Sequence, residues 1–222
     1  MRLREQAPLV FTFVLVASAL LLLVNRLERP LRAAGSALDF HESQVNSDMS
    51  LAFTEIAKSA ANSPFAISIP PPNGNVNHKI DKKHRTFTLP TGDSRVILAK
   101  LPDATIPYVL RIRSMCNCLG FSKSIFAPRG VFLDSEFRQT GELADTQFRR
   151  AEERSGWQLK TEIEIGSERK KDTYLLLFTD AKRVGTSLGG FSDSNAQVRV
   201  TNWPVGGAEY GTIKFETFLP KK

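Results

Sequence analysis

The sequence has few of the residues on which catalytic and metal sites usually depend. Its 222 residues include only two cysteines and three histidines. His41, His78 and His84 show no spacing to the cysteines that is typical of a zinc site. The sequence also lacks the G-x-S-x-G elbow, the H-E-x-x-H motif, the Walker A loop and the G-x-G-x-x-G motif. We therefore predict a protein without a catalytic site, a metal or a cofactor.

One pair of carboxylates resembles an acid and base pair. Glu162 and Glu164 lie on the same face of the alternating run QLKTEIEI, where two carboxylates could serve a glycosidase. No other signal of hydrolysis accompanies them, and charged side chains on one face of a strand usually meet solvent. The glycine-rich GTSLGG at 185–190 follows TDAKRV rather than opening a helix, so its glycines are predicted to serve turns.

The two cysteines, Cys116 and Cys118, are separated by one residue in MCNC. Along an extended strand their Cα atoms would lie near or beyond the upper limit of the usual disulfide range. Two plain strand thiols are therefore the first interpretation. A local disulfide in an oxidising compartment, and a metal or redox role, are the alternatives.

Positive charge exceeds negative charge, but the basic residues are scattered. The chain has 30 Lys and Arg against 23 Asp and Glu, a formal net charge of +7. The densest basic run, HKIDKKHR at 78–85, lies in a polar stretch without interleaved aromatic residues. Such a run is more often a solvated loop than a nucleic-acid surface. We therefore expect no nucleic-acid partner.

Long apolar runs are rare in the sequence, and one lies at residues 7–24. This run, APLVFTFVLVASALLLLV, has no charged residue, and as a helix it would be about 27 Å long, close to the ~30 Å core of a bilayer. A cleavable signal peptide would have a shorter apolar region ending at a small-residue site, whereas Ala17-Ser18-Ala19 lies inside the run. Residues 1–25 are thus predicted to be a transmembrane anchor, with a signal segment as the alternative. Arginines on both sides leave its topology open.

Two segments of different composition follow this run. Residues 26–47 combine mixed charge with small residues and are predicted to be a juxtamembrane linker. Residues 48–62, DMSLAFTEIAKSAAN, have apolar residues at roughly helical spacing, with one phenylalanine added: Leu51, Ile56, Ala60 and Phe53. We predict a short helix there, closed by the three prolines of IPPPNGNVN at 69–77.

From residue 85 onward the hydrophobic period changes to two. Eight short runs are bounded by turn residues: RTFTL, SRVILAKL, YVLRIRS, GVFLD, QLKTEIEI, DTYLLLFT, QVRVT and GTIKFETF. YVLRIRS alternates as a half-buried strand does, whereas TYLLLFT is apolar almost throughout, which is typical of a central strand buried on both faces. About eight strands without intervening helices predict a mainly β domain at 48–222, an antiparallel β-sandwich of the jelly-roll kind.

Two further stretches allow separate predictions. ELADTQFRRAEERSG at 142–156 is charged and compatible with helix, so a long connection with one or two helical turns is expected. In SIFAPRGVFLD at 124–134, Pro128 disfavours helical geometry at Ala127 and removes a ladder donor. This stretch is predicted to be a bend between two strands, with Asp134 hydrogen-bonded to the backbone of the next turn.

Three aromatic residues, Trp203, Tyr210 and Trp157, are the candidate ligand-binding residues. An aromatic face offers an apolar platform to a sugar ring. Each also has a structural alternative. Trp157 begins a strand and could pack in the core, Trp203 could cap a turn, and Tyr210 could hydrogen-bond to a loop backbone.

Four segments give the chain a family resemblance. TLP at 88–90, SIFAPRGVFLD at 124–134, TYLLLFTDAKRVG at 173–185 and EYGTIKFE at 209–216 occur in this order. From about Leu51 to Phe218 the chain resembles the MalM family, the periplasmic protein of the maltose operon. It differs from typical members in its predicted anchor and in lacking their small-residue-rich C-terminal tail.

The resemblance implies a location and a general role. Members of the family are envelope proteins beyond the inner membrane, without an established enzymatic function. The resemblance therefore implies a single span of the inner membrane of a Gram-negative bacterium at 7–24, with the N-terminus in the cytoplasm and the β domain in the periplasm. We expect a non-catalytic accessory protein that binds an oligosaccharide or supports carbohydrate transport. The alternative is a scaffolding subunit of an envelope protein complex anchored in the inner membrane.

Overall fold

The described part of the chain begins with a helix and continues as strands. A computed structural model describes residues 48–64, 66–89, 91–118, 123–153, 156–193 and 200–220. The predicted anchor and linker lie outside these ranges. Within them, no helix is both long and apolar enough to cross a bilayer. Residues 48–61 are helical and are called α1.

Fifteen short strands follow α1 in the described ranges. They are β1 (Ile67–Ser68), β2 (Asn75–Ile80), β3 (Thr86–Leu89), β4 (Gly92–Arg95), β5 (Ile97–Lys100), β6 (Tyr108–Met115), β7 (Ser124–Phe126), β8 (Pro128–Leu133), β9 (Gln139–Leu143), β10 (Arg149–Glu153), β11 (Gly156–Ile165), β12 (Tyr174–Thr179), β13 (Ser187–Asp193), β14 (Val200–Ala208) and β15 (Gly211–Phe218). The protein is mainly β, as predicted. Its strands outnumber the eight predicted runs mainly because six strands lie outside those runs: β1, β2, β7, β9, β10 and β13. In addition, the run SRVILAKL is divided, since β4 pairs with β3 and β5 pairs with β12.

The strands form two five-stranded sheets and two smaller ones. The first large sheet has the order β1-β5-β12-β8-β9, and the second has the order β10-β11-β6-β15-β2. A three-stranded sheet, β13-β14-β7, and the hairpin β3-β4 complete the set. Most neighbours are antiparallel, as predicted, whereas β1 with β5 and β14 with β7 are parallel.

Strand β6 shows how the alternating pattern selects the core. Tyr108, Leu110 and Ile112 are buried, whereas Arg111 and Arg113, on the opposite face, are only half-buried. The buried residues belong to a hydrophobic cluster that also contains Phe132 and Leu175 of the first large sheet. One apolar cluster therefore holds residues of both large sheets.

Strand β12 is buried on both faces, which confirms the prediction from its unbroken apolar run. Leu175 and Leu177 belong to the cluster shared with the second large sheet. Leu176 and Phe178 belong to a second cluster, together with residues of α1. Because each face of β12 packs in one of these two clusters, residues 175–178 are buried on both sides of the sheet.

Helix α1 is present as predicted, but its buried face differs from the predicted one. The buried residues are Phe53, Ile56, Ala57 and Ala60, whereas Leu51 is 64% exposed. At 100° per residue, Leu51 lies about 200° around the helix from Phe53, on the opposite side. The prediction that Leu51 belongs to the apolar face was wrong, because Phe53 and not Leu51 sets the face that packs on the sheet.

The charged stretch at 142–156 is mostly strand rather than a long connection with helical turns. It contains the end of β9, a single 3₁₀ turn at Asp145–Gln147, and β10, which pairs with β11. A charged strand is tolerated here because β10 is the edge of its sheet, where charge also discourages pairing with other chains.

The stretch at 124–134 is a bend between two strands, as predicted. Strand β7 pairs with β14, and after Ala127 the chain enters β8 in the first large sheet. Gly130 allows β8 to lie close to β12, since a Cβ atom at this position would lie 2.9 Å from the carbonyl oxygen of Leu176. Asp134 accepts hydrogen bonds from the backbone N–H groups of Glu136 at 2.8 Å and Arg138 at 2.9 Å. It closes the turn, as expected.

Candidate functional site

Cys116 and Cys118 form a disulfide, with Cα atoms 5.2 Å apart. The first interpretation, two strand thiols, was wrong. It assumed an extended chain, in which residues two apart are about 6.6 Å from each other. The chain instead leaves β6 after Met115, and Asn117 forms an isolated bridge with Ser124. Outside the regular strand the two Cα atoms are closer than 6.6 Å and lie well inside the usual disulfide range.

Trp157 is a core residue. Its side chain is 1% exposed and packs in a small cluster with Ile125, Val205 and the disulfide. The guanidinium of Arg150 lies 5.4 Å from the centroid of its ring. A ring covered in this way cannot stack on a sugar from solvent, so Trp157 is removed from the predicted ligand-binding residues.

Trp203 lies in β14, opposite Phe191 of β13. The side chain of Trp203 is outside the described part of the structure. Its prediction as a ligand-binding residue therefore stays a prediction.

Tyr210 lies between β14 and β15 and is 48% exposed. It borders an open pocket of about 470 Å³. The pocket wall also includes Cys116 of the disulfide and a set of polar side chains: Lys79, Asp81, Lys82, Asn117, Ser124 and Thr212. An exposed aromatic ring beside hydroxyl, amide and ammonium groups is the arrangement that sugar rings and their hydroxyls require. We call this cavity the Tyr210 pocket.

Strand register brings the wall of the Tyr210 pocket together. Thr212 of β15 is paired with Lys79 of β2 on one side and with Met115 of β6 on the other. The strand can reach this position because Gly211 has no side chain: a Cβ atom there would lie 3.2 Å from the backbone nitrogen of Phe126. Residues about 130 positions apart thus meet in one wall, which the sequence alone could not show.

A histidine pair lies beside the pocket, in the basic run at 78–85. The Nε2 atoms of His78 and His84 are 2.9 Å apart, and Nδ1 of His84 lies 3.3 Å from Oδ1 of Asp81. The turn between β2 and β3 brings the two rings together, with His84 buried. The prediction of a solvated basic loop was therefore incomplete: the lysines are exposed, but the histidines pack against each other.

The electrostatics of this pair favour the neutral ring of His78. Burial first, and the charge of His84 second, lower the pKa of His78 below its ordinary value, although Asp81 acts in the opposite direction. The unfolded chain then binds a proton more readily than the folded one. The stability linked to His78 is therefore present above the ordinary pKa of about 6.5 and is lost as the pH falls through the lower folded pKa.

We expect the full chain to lose stability between about pH 7.5 and about pH 5, and the His78→Gln variant to lose less over the same interval. Urea unfolding at both pH values measures the difference. His41→Gln, which removes a histidine outside this pair, is the control and should behave as the parent protein. Equal losses in the parent and in His78→Gln would contradict the assignment.

The carboxylate pair on β11 consists of exposed side chains, as predicted. Glu162 accepts a hydrogen bond from Nε of Arg111 at 2.8 Å, and Nζ of Lys160 lies 3.1 Å from the same carboxylate. Partial desolvation raises the pKa of Glu162, but these two partners outweigh it and hold that pKa below its usual range. Glu162 is thus a charged strand residue. Across the described ranges, no three His, Cys, Asp or Glu side chains form a group that could hold a metal.

Comparison with known proteins finds no family model that matches the chain and no matching curated protein. The class of the protein is therefore described by its fold and by the Tyr210 pocket. The chain contains a mainly antiparallel β domain with an N-terminal helix and a polar pocket at the ends of β2, β6 and β15.

Proposed function

We propose that the chain is a non-catalytic carbohydrate-binding protein of the Gram-negative envelope, and that an oligosaccharide binds in the Tyr210 pocket. The observation that carries this proposal is the exposed Tyr210 ring beside polar side chains in an open pocket. A sugar ring can stack on the phenol while its hydroxyls meet Asn117, Thr212 and the lysines. An accessory role in carbohydrate transport agrees with such a site.

The location and the architecture are part of the same proposal. Residues 7–24 anchor the chain in the inner membrane, and the β domain lies in the periplasm. The disulfide supports an oxidising compartment. The cluster that contains residues of both large sheets supports a jelly-roll-like sandwich. The resemblance to the MalM family remains a prediction from four segments.

The alternative, a scaffolding subunit, has less support on the described surface. In the described ranges, four large hydrophobic residues are exposed: Leu51, Val184, Tyr210 and Leu219. Edge strand β10 is charged, which disfavours pairing with a partner strand. The described surface thus favours a ligand over a partner chain.

The Tyr210→Ala variant of the full chain is expected to bind maltoheptaose about tenfold more weakly, because it removes the aromatic platform. Isothermal titration measures the affinity. Tyr210→Phe keeps the ring and should retain most of it. Leu219→Ala, which removes an exposed apolar side chain elsewhere, should have no effect.

If the parent protein gives no heat with maltodextrins or with cell-wall oligosaccharides, the Tyr210 pocket is not a carbohydrate site. Binding that persists unchanged in Tyr210→Ala would place the sugar elsewhere.

A further inference from the structure

A row of four basic side chains crosses the outer face of the second large sheet. Each residue is paired in register with the next, over four neighbouring strands from β10 to β15: Arg149, Lys160, Arg113 and Lys214. We call these residues the basic row. Adjacent strands are about 4.8 Å apart, so the row extends over roughly 14 Å.

This arrangement is unfavourable for the isolated domain. Like charges directly opposite each other on neighbouring strands destabilise a sheet. The row contains three such pairings in register, Arg149 with Lys160, Lys160 with Arg113, and Arg113 with Lys214. On a surface selected for stability alone, acidic and basic residues would alternate across the strands. They do so in the next row of the same face, which consists of Glu162, Arg111 and Glu216.

The carboxylates of that next row neutralise only part of the charge. Glu216 lies 2.9 Å from Arg113 and 2.9 Å from Lys214, and Glu162 lies 3.1 Å from Lys160. The basic row and Arg111 carry five positive charges, and the two glutamates carry two negative charges, which leaves +3. Desolvation raises the pKa of Glu216, but Lys214 and the arginines outweigh it, so the carboxylate stays ionised.

Two cavities adjoin the basic row, one at its β10 end and one beside its β6 and β15 residues. At its β10 end, Arg149 and Lys160 line a depression of about 660 Å³. Along β6 and β15, Met115 and Thr212 are two residues from Arg113 and Lys214 on the same strand faces, and both line the Tyr210 pocket. The pocket and the basic row are therefore successive parts of one surface.

We propose that the oligosaccharide of the Tyr210 pocket is acidic, a glycan whose uronate carboxylates lie along the basic row. The proposal rests on the proposed function and specifies its ligand. A linear chain fits better than a membrane surface, because the basic row is one residue wide and is flanked by glutamates that would repel a broad sheet of anionic headgroups. On its other side lie Met115 and Thr212, which an extended glycan can contact without repulsion.

The test compares oligogalacturonate with maltoheptaose, using the full chain in a neutral detergent. Oligogalacturonate is expected to bind at least about tenfold more tightly at low salt, and this advantage should disappear in about 1 M salt, where charges are screened. The Arg149→Gln variant should lose about tenfold in affinity for oligogalacturonate and nothing for maltoheptaose. Its thermal stability should rise slightly, because one like-charge contact is removed.

The control is Lys58→Gln, which removes the same charge from α1, where the side chain is 54% exposed. Its affinity for both sugars should equal that of the parent. Equal binding of the two sugars, or an Arg149→Gln variant with unchanged affinity for oligogalacturonate, would overturn the inference while leaving the proposed function intact. Competition by single-stranded oligothymidylate or phosphatidylglycerol micelles as strong as that by oligogalacturonate would also overturn it. If neither sugar binds, the proposed function itself fails.

Discussion

The Phe53→Ala variant is expected to lower the free energy of unfolding by about 3–5 kcal/mol. Phe53 is 2% exposed, and its ring stacks on Phe178 of β12 with centroids 5.3 Å apart. It is the largest side chain that α1 places in the second core cluster, whose remaining helical members are one isoleucine and two alanines. Truncation leaves a cavity that these small neighbours cannot fill, so both burial and packing are lost. Urea unfolding followed by circular dichroism measures the change.

Leu51→Ala is the matched control on the same helix. Leu51 is 64% exposed, so its truncation should change stability by no more than about 0.5 kcal/mol. Similar losses for Phe53→Ala and Leu51→Ala would show that α1 packs on the sheet through a different face. That result would remove the second core cluster as described.

The Gly207→Ala variant is expected to lose about 2–3 kcal/mol through overpacking. Gly207 lies in β14, where its N–H donates to the carbonyl of Thr186 at 2.9 Å and its carbonyl accepts from Gly185 at 2.8 Å. A Cβ atom at this position would clash with the backbone carbonyl of Arg183. Because the obstructing atom belongs to the backbone, no rotamer change relieves the clash, and the 183–186 segment must move. Thermal unfolding monitored by calorimetry measures the cost.

Gly206 provides a control one residue away. A Cβ atom there would meet only the carbonyl oxygen of Lys123, at 3.8 Å, which is ordinary van der Waals contact. Gly206→Ala should therefore stay within about 0.5 kcal/mol of the parent protein. If both alanine variants are equally stable, the close approach between β14 and the 183–186 segment is absent in solution.

Several parts of the fold follow from local sequence. The alternation of β6 predicts which of its side chains are buried, because successive residues on a strand point to opposite faces. The unbroken apolar run of β12 predicts its central position. Pro128 and Asp134 predict the bend and the turn on either side of β8, because each acts on its own backbone or on residues within four positions.

Other parts depend on contacts that the sequence does not display. The disulfide depends on the end of the regular strand at Met115, and the exposed position of Leu51 depends on which side of α1 meets the sheet. The charged residues of β10 are compatible with helix by composition, and only the pairing with β11 makes them a strand. The sequence gives only a weak indication of the contact between His78 and His84, namely two histidines six residues apart around a turn.

In the candidate site, too, some features follow from the sequence and others depend on tertiary packing. Tyr210 could be identified as an exposed aromatic candidate from its place in the sequence, and it does lie at a pocket. Trp157 is also aromatic and lies at the start of a strand, β11, yet it is buried against the disulfide. Residue type decides what a side chain can bind, whereas packing decides whether a ligand can reach it.

The sequence by itself determined the β character of the domain, the short helix before it and the faces of its alternating strands, because these depend on the period of apolar residues. Only the tertiary structure decided the register between strands. Register places Thr212 beside Lys79 and Met115, and it aligns Arg149, Lys160, Arg113 and Lys214 in one row. These seven residues lie on five strands, β2, β6, β10, β11 and β15, between Lys79 and Lys214 of the sequence. Their proximity is a property of strand pairing, which long-range packing sets and local sequence does not.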